Sequence, residues 1–316
     1  MLSSKKSILK RVLITIIAAI IAFSAISMVI TKIVYDNIFT RYDCEYLSVP
    51  EELERTVENR ITYQYNSGEN RLCGFLYEST VQNGNDGLIV LAPGFNACAD
   101  DYLWQIKSLN DYGWSVFAFD TTGCCHSEGE SSVGFAQELI DIDATLSYIE
   151  QNGAFGYNDI MLLGHSRGGY AVCCALGYEH DVTAVVSVSG INSAMEGVIG
   201  SSVDKVGALA YCNYPFLWLY QSMLFGTKVM GMSADEALNS AGIPALIVHG
   251  SDDEQVPDEK YSIISHRDSI ESQNVEYYIC DESGQNGHTN LLFDDDGTAN
   301  DELMKKINDF YISSIK

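Results

Sequence analysis

One serine in this chain stands where its hydroxyl can do chemistry. In Gly164-His165-Ser166-Arg167-Gly168 it follows the apolar run Asp159-Ile160-Met161-Leu162-Leu163, which reads as a buried strand. It precedes Gly169 to Gly177, a small-residue stretch that reads as a helix able to pack tightly on a sheet. A serine on a sharp strand-to-helix turn is exposed above the sheet, and the residues two before and two after it must be small so that backbones can pass. Gly164 and Gly168 meet that need, so the pattern predicts a nucleophile elbow. A serine nucleophile requires a base, and the base requires an acid to hold its tautomer.

Around such an elbow the partners follow in the order Ser, then Asp or Glu, then His. The stretch Ile243 to Pro257 (IPALIVHGSDDEQVP) reads as a short strand running into an acidic turn, and Asp253 is the expected acid. Asp252 occupies the neighbouring turn position and would point elsewhere. The base is expected at His288, in the polar, glycine-rich loop Ser283 to Asn290 that follows the strand-like Val275 to Cys280. Of the six histidines, His165 and His249 are built into strand ends, His180 closes a helix and His266 lies in a polar helical stretch. His126 competes, but it precedes the serine and sits in a different turn. Ser166 would attack a carbonyl, His288 would carry the proton and Asp253 would orient His288. Backbone N–H groups of Phe95 and Arg167 are expected to hold the oxyanion. The Arg167 side chain has two readings, pairing with an anionic substrate group or with a local carboxylate.

Eight strands are expected to carry these turns. Ile61 to Gln64 and Leu72 to Tyr77 flank Asn66-Ser67-Gly68 as a hairpin. Gly87 to Ala92, Ser115 to Asp120, Asp159 to His165, Val182 to Ser189, Ile243 to His249 and Val275 to Asp281 follow. Amphipathic helices are expected between them at Val133 to Gln151, Asp258 to Ile270 and Asn300 to Ile315. Alternating strand and helix implies an α/β fold, a mostly parallel sheet covered on both faces, with ligands bound beyond the carboxyl ends of its strands. Residues 191–242 break the alternation and are too long for a simple connection, so a short helical cap is expected there. Its aromatic run Tyr211 to Tyr220 either lines a substrate pocket, with Tyr214 and Trp218 as the contact residues, or fixes the cap to the core.

These pieces together resemble the α/β-hydrolase superfamily, and within it the branch of small bacterial esterases, lysophospholipase-like and peptidase-like hydrolases. The resemblance spans about residues 60–316. Ala92-Pro93-Gly94-Phe95-Asn96 is similar to that family's oxyanion loop, although the usual leading His-Gly is here Pro93-Gly94. Asp120 to Gly129 is similar to its turn after the fourth strand, with Cys125 where a second glycine is usual. The resemblance implies a serine hydrolase acting on carboxylic esters of small or acylated molecules through an acyl-enzyme, without a cofactor. A serine peptidase of the prolyl-oligopeptidase-like type is the nearest alternative, and a silent binding module on the same fold is the alternative from another class.

At the other end of the chain, Val12 to Ile30 carries no charge over 19 residues, roughly 28 Å as a helix, close to the hydrocarbon thickness of a bilayer. The apolar character continues to Val34, which predicts an uncleaved transmembrane anchor at 12–34. Small residues around Ala22-Phe23-Ser24 also admit a cleaved signal peptide. Lys5, Lys6, Lys10 and Arg11 precede the segment, so residues 1–11 are expected in the cytoplasm and the catalytic domain, residues 60–316, outside the membrane. Residues 35–59 would connect the two.

All 43 carboxylates lie from Asp36 onward, and the net charge is −25. Such acidity excludes a nucleic-acid binder, which needs a basic face. The nine cysteines show no paired metal-ligand spacing, so no zinc site is indicated. Cys98 and either Cys124 or Cys125 fall in two loops near the expected site, where a disulfide is conceivable. Asp294-Asp295-Asp296-Gly297 lacks the alternation and terminal glutamate of a calcium loop.

Overall fold

The computed structural model describes residues 2–44, 49–81, 84–207, 209–257 and 259–315. Eight strands form a single sheet: β1 (Ile61–Ser67), β2 (Asn70–Tyr77), β3 (Gly87–Ala92), β4 (Ser115–Asp120), β5 (Asp159–His165), β6 (Ala184–Val188), β7 (Ala245–Gly250) and β8 (Val275–Cys280). Their order is β1-β2-β4-β3-β5-β6-β7-β8. The hairpin β1–β2 and the β2–β4 pair are antiparallel, and all pairings from β4 to β8 are parallel. All eight expected strands form, with ends shifted by up to three residues.

Ten α-helices accompany the sheet: α1 (Leu2–Ile38), α2 (Glu54–Glu58), α3 (Leu103–Asp111), α4 (Phe135–Gln151), α5 (Arg167–Ala175), α6 (Ala194–Val206), α7 (Leu209–Cys212), α8 (Tyr214–Met230), α9 (Ala234–Ala241) and α10 (Asp301–Ser314). Successive strand side chains point to opposite faces, so the buried strands feed two cores. Leu88, Val90, Phe117, Phe119, Ile160 and Leu162 pack with Leu139, Ile142 and Leu146 of α4 and with Tyr170 to Ala175 of α5. Ile89, Leu91, Val116, Met161 and Leu163 pack with Ile106 of α3 and with Leu303, Ile307, Phe310 and Tyr311 of α10. Leu139, Ile142 and Leu146 of α4 and Leu303, Ile307 and Phe310 of α10 stand three and four apart, as on a single helical face, whereas α5 is buried all round.

One expected helix does not form. Between Pro257 and Ile270 the chain runs through turns into a 3-10 stretch at Ile264–Ser269, and Asp258 lies outside the described residues. Local side chains compete for the backbone here: Ser262 Oγ accepts the Ser265 N–H at 3.0 Å and Ser265 Oγ donates to the Ser262 carbonyl at 2.7 Å. Outward ties add to this, since the Tyr261 carbonyl accepts the Asn192 N–H at 2.7 Å and the Ile263 N–H donates to the Gly190 carbonyl at 2.9 Å.

Four helices, α6 to α9, fill the connection between β6 and β7. The last of them, α9, returns to the main helical layer, where Ala234 and Leu238 join the core beside α5. Helix α8 has another partner, α1. Ser27, Thr31 and Tyr35 of α1, together with Phe39 just past its end, recur every four residues and form a buried stripe. Asn213 Nδ2 donates to Thr31 Oγ1 at 2.7 Å, Tyr220 Oη donates to Asp36 at 2.8 Å and Tyr35 Oη donates to Gln221 Oε1 at 3.2 Å. The ring of Phe39 lies 5.4 Å from that of Phe95 and 5.3 Å from that of Phe135. The end of α1 is thereby built into the folded domain.

Candidate active site

Ser166 sits between β5 and α5 with φ 57° and ψ −117°, a strained backbone for a residue with a side chain. The strain lifts its hydroxyl above the carboxyl end of the sheet. A Cβ at Gly164 would collide with the carbonyl of Gly168, and one at Gly168 would collide with the carbonyl of Ala92. Both glycines are therefore set by the tightness of the turn.

His288 and Asp253 arrive from the loops after β8 and β7. Ser166 Oγ lies 2.8 Å from His288 Nε2, and His288 Nδ1 lies 2.8 Å from Asp253 Oδ2. Asp253 is buried, whereas Asp252 is exposed. The other oxygen of Asp253 accepts the N–H groups of Val256 at 2.8 Å and Gln255 at 3.0 Å. Burial alone would raise this carboxyl, but the hydrogen bond and charge of His288, with the Val256 N–H, hold it below its ordinary value. An ionised Asp253 keeps the proton of His288 on Nδ1 and leaves Nε2 to face the serine.

His165, dismissed in the sequence as a strand-end residue, links the two halves of this arrangement. Its Nε2 lies 2.9 Å from the carbonyl of His288, which can only accept, so Nε2 carries the proton. Its Nδ1 then accepts from Tyr102 Oη at 2.9 Å, and that hydroxyl in turn accepts the Gly94 N–H at 2.9 Å. Burial, followed by repulsion from His288, pushes His165 down to about 3, so it remains neutral. The chain of bonds ties the loop holding Phe95 to the loop holding His288. The signal for it in the sequence is only a histidine beside the serine, and its partner Tyr102 comes from an unrelated segment.

A cavity of about 600 Å³ opens over Ser166 and His288, lined in part by Gly94, Phe95, Phe135, Arg167, Ile191 and Tyr261. Both expected oxyanion residues, Phe95 and Arg167, reach it. The side chain of Arg167 takes the local-carboxylate reading: it is buried in an ion pair with Glu138 and donates to Thr121 Oγ1 at 2.9 Å. Burial pushes Glu138 up, with Arg167 opposing. The Arg167 guanidinium lies 5.7 Å from the ring centre of Phe95, so the pair also supports the loop of the expected oxyanion hole.

The structure does not bring Tyr214 or Trp218 into this cavity. Leu217, Tyr220, Gln221 and Phe225 turn the inner face of α8 toward the core and α1, leaving Trp218 on the outside at 39 % exposure. Tyr214 borders a separate cavity of about 330 Å³ with Tyr211 and Tyr261. The aromatic run thus divides between packing α1 and facing outward. His126 is also remote from the serine, its Nδ1 bonded to Asp120 at 2.8 Å.

Comparison with known proteins supports the fold. Residues 87–227 match the family model described as the alpha/beta hydrolase fold. The chain is 32 % identical over 116 residues to a proline iminopeptidase of Saccharolobus solfataricus, covering 36 % of each protein. It is 29 % identical over 187 residues to human protein ABHD12B, covering 57 % of this chain and 49 % of that one. The chain therefore spans less than half the length of these curated relatives. Among solved structures, a Pyrococcus furiosus esterase superposes with a TM-score of 0.64 at 17 % identity, over 87 % of this chain and 98 % of that one. Est1E of Butyrivibrio proteoclasticus with ferulic acid bound gives 0.57 at 17 % identity, over 80 % and 98 %. The sheet order and these likenesses agree, and the chain has the α/β-hydrolase fold.

Proposed function

We propose that this protein is a serine hydrolase that cleaves carboxylic esters through an acyl-enzyme. The observation that carries the reading is the hydrogen-bonded row from Ser166 Oγ to His288 to Asp253, with both contacts at 2.8 Å. Ser166 Oγ attacks the ester carbonyl as His288 Nε2 takes its proton, and the carbonyl π electrons move onto oxygen. The N–H groups of Phe95 and Arg167 stabilise that oxyanion, each worth on the order of 100-fold to 1000-fold in turnover. As the tetrahedral intermediate collapses, the C–O bond to the alcohol breaks and His288 returns the proton to the leaving oxygen. Water, activated by the same imidazole, then releases the acid and restores Ser166.

Ser166→Ala is expected to abolish ester hydrolysis and labelling by a fluorophosphonate, read by gel fluorescence and by release of p-nitrophenol. Persistent labelling would reject Ser166 as the nucleophile. A peptidase reading is supported by the partial identity to a proline iminopeptidase and by two carboxylates, Glu196 and Glu254, that line the cavity and would suit a protonated amine. p-Nitrophenyl esters of increasing chain length assayed beside aminoacyl anilides separate the two, with faster ester turnover expected.

The membrane part of the proposal rests on α1. Ser7–Ile38 is long and apolar enough to cross a bilayer, and its residues up to Ile26 are almost all exposed, with Phe23 meeting Phe216 of α8 at 6.0 Å between ring centres. Twenty residues span about 30 Å as a helix, the thickness of the hydrocarbon layer. The basic residues before this stretch favour a cytoplasmic N-terminus, with the hydrolase held on the outer face.

A further inference from the structure

Three segments bring cysteines to one place beside, but outside, the proposed catalytic row. The Sγ atoms of Cys44, after the end of α1, Cys98, three residues beyond Phe95, and Cys125, in the turn after β4, all lie within 4.8 Å of one another. The neighbouring Cys124 thiol lies outside this group and donates to the Ala97 carbonyl at 3.2 Å. Cys98 and Cys124 are buried, and Cys44 and Cys125 half-buried. Each thiol here is unbridged.

One contact favours negative charge at the cluster. Cys98 Sγ accepts the backbone N–H of Asp101, the kind of bond that settles negative charge on sulfur. The Arg41 guanidinium, itself paired with Asp43 at 2.8 Å, donates to the carbonyls of Cys125 at 2.6 Å, Gly129 at 2.9 Å and Ser127 at 3.0 Å, so an ion pair ties down the turn that carries Cys125. The Cys44 segment is brought in by the Cys125 N–H, which donates to the Tyr42 carbonyl at 2.8 Å, and by the Tyr42 N–H, which donates to the Gly123 carbonyl at 3.0 Å. Cys125 holds a positive φ of 43°, a strained backbone in the turn that presents its thiol to the others.

We infer that Cys44, Cys98 and Cys125 form a three-thiolate site for one zinc ion, with the fourth position open to water. The spacing suits a bound ion. Tetrahedral ligands about 2.3 Å from zinc stand roughly 3.8 Å apart, which fits three sulfurs mutually within 4.8 Å. A disulfide would join one pair at about 2.0 Å and leave the remaining thiols without a role. On binding, each ligating thiol loses its proton to solvent, and no redox step is involved. The site takes no part in the chemistry at Ser166. It pins the segment leaving α1 and the loop that holds Phe95 to the turn after β4.

The test uses the full chain extracted in detergent without chelator. Elemental analysis is expected to find about one zinc per chain, and cobalt exchanged for it should show thiolate-to-metal charge-transfer absorption. Cys44→Ser and Cys125→Ser are expected to lose the metal, whereas Cys212→Ser, altering an exposed cysteine elsewhere, and Ser166→Ala should retain it. The Ser166→Ala result keeps the site separate from the proposed catalysis. Nine titratable thiols with no metal would overturn the assignment. So would a peptide map showing two of these cysteines joined, or zinc that survives both substitutions. If a single variant does not fold, the metal content and thiol count of the wild-type chain still decide.

Discussion

At the scale of single residues, the site depends on two histidines held in different states. His288 shuttles the proton in the proposed reaction, while His165 is kept neutral by burial and does a positioning job between Tyr102 and the His288 carbonyl. This has a consequence for stability. Folded His165 titrates at about 3, whereas in the unfolded chain a histidine titrates near 6.5. Between those values the unfolded chain binds a proton that the folded chain does not, so stability is full above about pH 6.5 and falls as pH drops toward 3. His165→Gln keeps a donor and an acceptor without the titration. Denaturant midpoints at pH 7 and pH 5 are expected to show the variant losing less stability than wild type, by about 2 kcal/mol. Equal losses would show that His165 does not carry this term.

The catalytic candidates were legible because each has a local signature: glycines at fixed offsets from Ser166, and strand ends just before Asp253 and His288. The role of His165 was not legible. It depends on a hydroxyl from Tyr102 and a carbonyl from the far loop, neither marked by spacing around the histidine.

At the scale of elements, the least expected partnership is between α1 and α8. Phe39 packs edge-on against both Phe95 and Phe135, which also touch each other, so the end of the apolar helix backs the loop proposed to hold the oxyanion. Phe39→Ala is expected to cost about 3–5 kcal/mol, as for other buried phenylalanines, and to slow fluorophosphonate labelling. Trp218→Ala, on the outer face of α8, is expected to change stability by no more than about 0.5 kcal/mol and to leave chain-length preference unchanged. Melting in detergent beside an ester series checks both. A shift in chain-length preference in the Trp218 variant would restore a pocket role for that residue.

Elements with clean periodicity, the eight strands and α4, α5 and α10, could be read in advance. The helix expected before Ile270 failed because serine hydroxyls there bond the backbone, and periodicity does not register that competition. The aromatic run of α8 was visible as apolar, but which face would meet α1 was set by the fold.

At the scale of the whole molecule, an acidic domain is joined to an apolar helix that is part of its own packing. Every carboxylate lies from Asp36 onward, so the proposed anchor separates a basic end from a strongly negative body. Protease added to intact cells is expected to degrade the domain while sparing the N-terminal segment, read by blots against tags at each end. Full protection of the domain would overturn the proposed exterior location. Under the proposed anchoring, the coupling of α1 to the cap would hold the cavity at a fixed distance from the membrane, in contrast to a domain on a loose tether.

The linear chain by itself determined the strand count, the alternation that makes a parallel sheet, the candidate nucleophile with its acid and base, and the length of the apolar helix. These follow from neighbours along the backbone, because strand and helix periods, turn glycines and motif order are short-range properties. Tertiary structure decided the rest: that Arg167 pairs with Glu138, that Trp218 faces outward, that α1 docks on α8, and that three cysteines from three segments converge. Such contacts join residues far apart in sequence, and their geometry arises only when the two cores close around the sheet.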